Sequence, residues 1–338
     1  VWPLTHLPVL VAAAAFETLK WVALIIGLRT AWRLAAPRGE DVPPIVALGS
    51  LLLTWRFIEN DLAMGNINLL LLAAVLGACW LVHVRRDVAA GALLAVAASV
   101  KVAPALLLVY FVYKGCWRTL IGAVAGLFLC LVLLPALVLG WDANLQLLYG
   151  WYEAVAAGYL RSGAVRSECG NQALVAIINR LLGPYPAILP DTHLALVILP
   201  AVARNALRIV LSCGILAVVF WACRHRGRPT GPKLATEAGL VLIATLLVSG
   251  LSWKAHYVVL VLPFAALLAY VADARHLPAD RRIVGIPLLL SAGLCTLTSD
   301  VITPTGANYA EAYGLIALGA VLAGVALSLM RTRIERPG

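Results

Sequence analysis

Short basic clusters recur along this chain only between apolar runs of membrane-spanning length, and that alternation fixes a topology. Between Arg224 and Lys233 the chain reads R-H-R-G-R-P-T-G-P-K. Runs such as Leu62–Val84 and Asn205–Cys223 reach the ~20 residues needed to cross a hydrocarbon core. Apolar residues make up 62% of the chain and charged ones 12%, whereas a soluble chain of this length would carry more charge and shorter apolar runs. The expected fold is all-α, a polytopic integral membrane protein.

Apolar segments fall near 11–28, 43–58, 62–84, 88–113, 117–140, 205–223, 235–250, 256–273, 283–299 and 311–330. Most of the 26 basic residues sit in alternate connections: Arg29, Arg33 and Arg38; Arg85 and Arg86; Lys114 and Arg118; Arg224 to Lys233; Arg275, Arg281 and Arg282; and the tail Arg331, Arg333 and Arg336. Basic loops stay in the cytoplasm, so this bias accounts for most of the +10 net charge without a nucleic-acid partner. The expected location is a plasma membrane crossed many times, and the composition, rich in alanine, leucine and valine with few lysines, points to a bacterial one.

One segment conflicts with simple alternation. If 88–113 spanned, Arg85/Arg86 and Lys114/Arg118 would lie on opposite faces, yet both loops read as cytoplasmic. Its middle, Ser99-Val-Lys-Val-Ala-Pro104, carries a lysine and a proline, and proline interrupts the helical ladder. A re-entrant pair of half-helices resolves the conflict, provided protein or a watery cavity covers the freed backbone. The alternative is one kinked span with a weak charge signal.

The outer face then receives residues 1–10, the turn Glu59–Gly65, the long loop 141–204, the turn Ser252–Ala255 and residues 299–310. The long loop belongs to the same single domain, 1–338. Its Trp141, Tyr149, Trp151, Tyr152 and Tyr159 suit the aromatic belt of a membrane interface. Asn171–Leu182 has its apolar residues at helical spacing, the pattern of an amphipathic helix lying in that interface. The seven cysteines form no disulfide framework.

Polar groups at membrane depth are functional candidates by default. Lys101 occupies the deepest part of the proposed re-entrant pair and needs an anion, either a protein carboxylate or a ligand phosphate; the alternative is a snorkelling lysine. His256 can donate to a phosphate or handle protons, or simply be hydrogen-bonded, and Lys254 adds positive charge beside it. Asn66 and Asn68 offer donors and acceptors suited to sugar hydroxyls, or bind neighbouring helices. Asn171 reads as a helix N-cap, with Gln172 beside it, and Glu168 as a loop charge or an acid/base. Arg204 and Arg208 either hold lipid phosphates or anchor their helix. Glu17 and Lys20 compensate each other at helical spacing. No P-loop, dinucleotide fingerprint or metal-binding cluster occurs, so neither a metal nor another cofactor is expected.

In order, Gly65-Asn66-Ile67-Asn68-Leu69-Leu70, Ala97-Ala-Ser-Val-Lys101-Val-Ala-Pro104 followed by Tyr110, Gly170-Asn171-Gln172 with Arg180 downstream, and Ser252-Trp253 with His256-Tyr257 resemble the bacterial polyprenyl-phosphate-dependent glycosyltransferases of family 87. The resemblance runs across almost the whole chain, although the family more often has Gln at position 66. It implies a GT-C type helical bundle whose active site opens on the extracytoplasmic face. It further implies a polyprenyl-phosphate sugar donor, mannose foremost, and a glycolipid or cell-wall polysaccharide acceptor. Lys101 and His256 would contact the donor phosphate, and Asn66, Asn68, Asn171 and Gln172 the substrates. The family's presumed base is an aspartate after a first helix. The opening V-W-P-L-T-H-L-P resembles the stretch beyond that aspartate, so the base is expected upstream of residue 1. Glu59, Asp61 and Glu168 are the weak substitutes within the chain. The rival readings are a transporter or lipid-linked sugar flippase, since broken helices with an internal lysine also occur there, and an inactive homologue.

Overall fold

A computed structural model describes residues 5–37, 40–162, 165–188, 192–225, 227–298 and 303–334. Among these residues the regular structure is helical, with a single isolated bridge between Pro186 and His193. The chain opens with α1 (Val9–Ala35), α2 (Pro44–Ala63) and α3 (Asn68–His83). Next come the broken pair α4 (Asp87–Val100) and α5 (Ala105–Tyr113). A long run follows, from α6 (Arg118–Leu127) through a π-helical stretch (Phe128–Leu133) into α7 (Leu134–Leu139). The long loop carries α8 (Trp141–Trp151), a second π-helical stretch (Tyr152–Ala157), α9 (Gly158–Ser162) and α10 (Leu174–Leu182). The remainder is α11 (Ala201–Ala222), α12 (Gly231–Val248), a 3-10 segment (Lys254–Leu260) leading into α13 (Val261–Ala272), α14 (Pro278–Leu297), α15 (Pro304–Ala312) and α16 (Leu315–Ile334).

Six stretches are long and apolar enough to cross a membrane: Val9–Ala35, Arg118–Leu139, Ala201–Ala222, Gly231–Val248, Lys254–Ala272 and Leu315–Arg333. They divide by burial. The stretches 231–248 and 254–272 bury most of their surface inside the protein, whereas 118–139 and 9–35 keep theirs outward, as lipid-facing helices do. The chain is an all-α polytopic membrane protein.

The conflict over 88–113 resolves in favour of a broken, re-entrant pair. Lys101 leaves α4 in an extended conformation and Pro104 opens α5. At 14 and 9 residues, the two pieces reach only ~21 Å and ~14 Å, each short of the ~30 Å core. Their far ends meet the same connection. Asp87, at the start of α4, pairs with Arg228, and Lys114, just after α5, gives its ammonium to the carbonyl of Cys223 (3.0 Å) and to Glu237 (3.0 Å). Glu237 also takes the Tyr110 hydroxyl (2.7 Å) and Arg331. Arg333–Asp280 and Arg275–Glu40 (2.9 Å) tie further basic loops by ion pairs. Arg38, Arg226 and Arg336 lie outside the described residues.

α4 packs on α6 by direct backbone approach. A Cβ at Gly91 would fall 1.9 Å from the Thr119 carbonyl oxygen, and one at Gly122 1.9 Å from that of Val88. Small residues at such crossings let membrane helices touch without side chains between them. Gly91→Val or Gly122→Val must therefore separate α4 from α6, at a cost above the 1–3 kcal/mol of ordinary overpacking. The expected result is a melting temperature lowered by about 10 °C or more in detergent, or no folded protein. Gly214→Ala, where an added Cβ meets nothing within 4 Å, should leave melting unchanged.

Several boundaries differ from the sequence reading. The span expected at 62–84 begins at Asn68, because α2 runs on to Ala63 and the turn falls at 64–67. Gly65 makes that turn with φ +60°, a conformation open to glycine. The span expected at 311–330 divides at Gly314 (φ +79°) into α15 and α16; residues 299–302 lie outside the described residues. The helix expected to lie in the interface, α10, is instead packed inside protein. Val175, Ala176 and Ile178 are buried, and so are its polar residues Asn179 and Arg180. Trp141, Tyr149, Trp151 and Tyr152 are exposed, as an aromatic belt requires, whereas Tyr159 bonds the Val248 carbonyl (2.8 Å).

Candidate functional site

Five elements converge where α4 breaks. Because the break turns residue 101 out of the helical ladder, the Lys101 ammonium reaches two side chains. It donates to Asn68 Oδ1 at 2.6 Å and lies 2.8 Å from His256 Nε2. Asn68 is the first residue of α3. Its backbone N–H (3.0 Å) and its Nδ2 (2.9 Å) both donate to Asp61 Oδ2. Asp61 is fully buried in the last turn of α2, and its Oδ1 accepts no hydrogen bond among the described residues. Lys20 of α1, also fully buried, lies 3.7 Å from that oxygen and donates to the Asp61 carbonyl (2.8 Å) and to Glu17 (3.1 Å).

His256 is held by its own turn, its Nδ1 accepting the backbone N–H of Trp253 at 2.7 Å. A neutral imidazole whose Nδ1 accepts carries its proton on Nε2. That N–H then points at Lys101, an ammonium with donors only. Two donors facing each other at 2.8 Å leave one contact unsatisfied; an acceptor that parts the two nitrogens and bridges them satisfies both, and an anion is the strongest such acceptor. Lys101 forms no salt bridge among the described residues; Asp61 reaches it through Asn68.

The turn carrying His256 is fixed from the long loop. Gln172 N–H donates to the Ser252 carbonyl (2.8 Å), and Asn171 Oδ1 accepts from Ser252 N–H (3.0 Å). Asn171 Nδ2 donates to the carbonyls of Arg166 (2.8 Å) and Gly250 (3.2 Å), and Gln172 Nε2 to those of Cys169 (2.6 Å) and Glu311 (2.7 Å). Behind them Arg180, fully buried, donates to the carbonyls of Ala312 (2.9 Å), Ser167 (3.1 Å), Glu168 (2.8 Å), Asn171 (2.8 Å) and Glu311 (3.3 Å). Burial lowers its guanidinium pKa to about 10, so it stays charged at neutral pH.

The structure therefore brings together Lys101, His256, Asn68 and Asp61 and sets the other candidates apart. Asn171 and Gln172 are fully buried and bond backbone groups, which braces the loop, while Gln172 Oε1 accepts no hydrogen bond among the described residues. Asn171 is not the N-cap of α10; Ala173 is. Asn66 is half-buried before α3, and its side chain makes no hydrogen bond among the described residues. Glu59 and Glu168 are exposed, outside the hydrogen-bonded chain, whereas Asp61 is buried within it. Lys254 adds no free charge, being paired with Glu311 (2.7 Å), which also binds Arg56 (3.2 Å). Arg204 and Arg208 act as anchors. The first lies over Tyr185 and the second over Tyr159, with Asn179 and Asn205 as hydrogen-bond partners. Among the described residues no three His, Cys, Asp or Glu side chains gather as a metal site would need. Glu311 escaped the sequence reading, though a lone carboxylate opening an apolar run is the signal that marks it.

The family model of glycosyltransferase family 87 matches residues 1–250. A polyprenol-phosphate-mannose-dependent alpha-(1-2)-phosphatidylinositol pentamannoside mannosyltransferase of Mycobacterium tuberculosis is 28% identical over 303 residues, covering 86% of this chain and 62% of that protein. A polyprenol-phosphate-mannose-dependent alpha-(1-2)-phosphatidylinositol mannoside mannosyltransferase of Mycolicibacterium smegmatis is 29% identical over 254 residues, 73% of this chain and 50% of that protein. The chain thus spans half to somewhat under two thirds of the curated relatives it matches. No solved structure matches it. With the family model covering most of its length and its four motifs falling in order around one site, the chain belongs to glycosyltransferase family 87.

Proposed function

We propose that this protein transfers mannose from a polyprenyl-phosphate donor to a glycolipid or polysaccharide acceptor, on the extracytoplasmic side of a bacterial plasma membrane. The observation that carries the reading is the Lys101–His256 contact, two converging donors with no carboxylate bonded to either among the described residues. A polyprenyl-phosphate sugar is a phosphodiester with one negative charge, which matches one unpaired ammonium. The acceptor hydroxyl attacks the anomeric carbon, and the bond from that carbon to the phosphate oxygen breaks. Its electron pair stays on the departing phosphate, which becomes a monoester and gains charge. Lys101 and the Nε2–H of His256 stabilise that gain, the term to which such sites owe most of their acceleration. The hydroxyl proton leaves to a carboxylate outside the Asp61–Asn68–Lys101–His256 chain. Glu59 and Glu168 are the exposed carboxylates proposed for this within the described residues.

The outward orientation is supported by the basic loops, which the positive-inside bias assigns to the cytoplasm. Mannose is supported by the printed activities of both mycobacterial relatives. The test is transfer from radiolabelled polyprenyl-phosphate sugars to extracted lipid acceptors, in membranes carrying the protein. Label entering a glycolipid from the mannosyl donor alone is expected. No transfer from any donor by intact protein would overturn the proposal and favour a transporter.

A further inference from the structure

The Asp61–Asn68 contact does more than start a helix. A carboxamide has a donor end and an acceptor end of nearly equal shape, and only its partners decide which way it points. Asp61 offers Asn68 an acceptor only, so Nδ2 must face Asp61 and Oδ1 must face Lys101. The ammonium is thereby oriented by a neutral oxygen, which leaves its charge uncancelled. A carboxylate in the same place would neutralise it and compete with any anion. The sequence of charges along the chain is regular: Lys20 positive, Asp61 negative, Asn68 neutral, Lys101 positive. Lys20, 3.7 Å from Asp61 Oδ1, sets a counter-charge beside the fully buried carboxylate.

We propose that Asp61 and Asn68 are a positioning pair that keeps Lys101 aimed at, and uncancelled for, the phosphate of the lipid donor. This rests on the phosphate reading above and adds two residues to it. It also takes Asp61 out of the base role, because the carboxylate is buried and committed to α3. Asp61 acts through Asn68, and Asn68 through Lys101; neither touches the reacting carbon.

The test exchanges the two side chains. Asp61→Asn with Asn68→Asp keeps the shapes, the overall charge and an acceptor for the first turn of α3, but sets a carboxylate against Lys101. Binding of farnesyl phosphate to the purified protein is measured in detergent, alongside its melting temperature. A folded protein whose melting is lowered by the loss of the Lys20–Asp61 pair, with affinity at least about tenfold weaker, is expected. Asn68→Ala is the second variant, since it retains the backbone N–H bond to Asp61 and hence the helix start. It should weaken binding by a similar factor with melting unchanged. A folded variant of either kind that binds like the wild type overturns the pairing and leaves the phosphate reading standing. Wild-type protein that binds no farnesyl phosphate sinks both.

Discussion

Lys101→Ala should lower the proposed mannosyl transfer by about two to three orders of magnitude while the protein still accumulates, folded, in the membrane. The two halves of this expectation have separate grounds. Activity falls because the one uncancelled ammonium of the Asp61–Asn68–Lys101–His256 chain is gone as the departing phosphate gains charge. Folding persists because, among the described residues, the Lys101 side chain bonds only Asn68 and His256, while the break itself is made by backbone geometry and Pro104. His256 remains fixed by Trp253, and Asn68 by Asp61. Lys101→Arg should retain partial activity, since it keeps charge but replaces a compact ammonium with a wider planar fork. Single-turnover transfer in membranes, normalised to folded protein, reads both. Full activity in Lys101→Ala would remove the phosphate assignment.

Arg180→Leu should cost more stability than any substitution at the Lys101 site. One guanidinium serves five carbonyls, drawn from residues 167–171 and 311–312. Each carbonyl stranded in a buried place costs about 1–3 kcal/mol, and partial access of water lowers the sum. A net loss of at least about 3 kcal/mol is expected, enough to free the loop from the turn at 250–252. Limited proteolysis should then cut near 163–172, and transfer should fall because His256 loses its support. Arg180→Lys should not rescue, since three donors on a flexible stem cannot replace five in a plane. Unchanged proteolysis and melting would show that the loop is held by something else.

The architecture was legible where chemistry is local. Proline and lysine within one apolar run marked the break at 101–104, and basic clusters marked the shared end of α4 and α5. Lys101 and His256 stood out because ionisable groups within apolar runs are costly. What stayed hidden depends on partners far apart in sequence. Nothing near Asn68 states that Asp61 orients it, and nothing near Lys254 announces Glu311. Asn171 and Gln172 sit in a motif, yet their partners lie near residues 250 and 311, so motif position alone could not separate a brace from a ligand contact. The α3 boundary slipped because Leu62 and Ala63 are as apolar as a span, and only the Gly65 turn ends α2.

A cryo-EM map of the protein with farnesyl phosphate bound tests the central claim most directly. Phosphate oxygens are expected within hydrogen-bond distance of Lys101 Nζ and His256 Nε2, with the two nitrogens drawn apart from 2.8 Å. Phosphate bound elsewhere, beside Arg204 and Arg208 for example, with the Lys101–His256 contact intact, would contradict it.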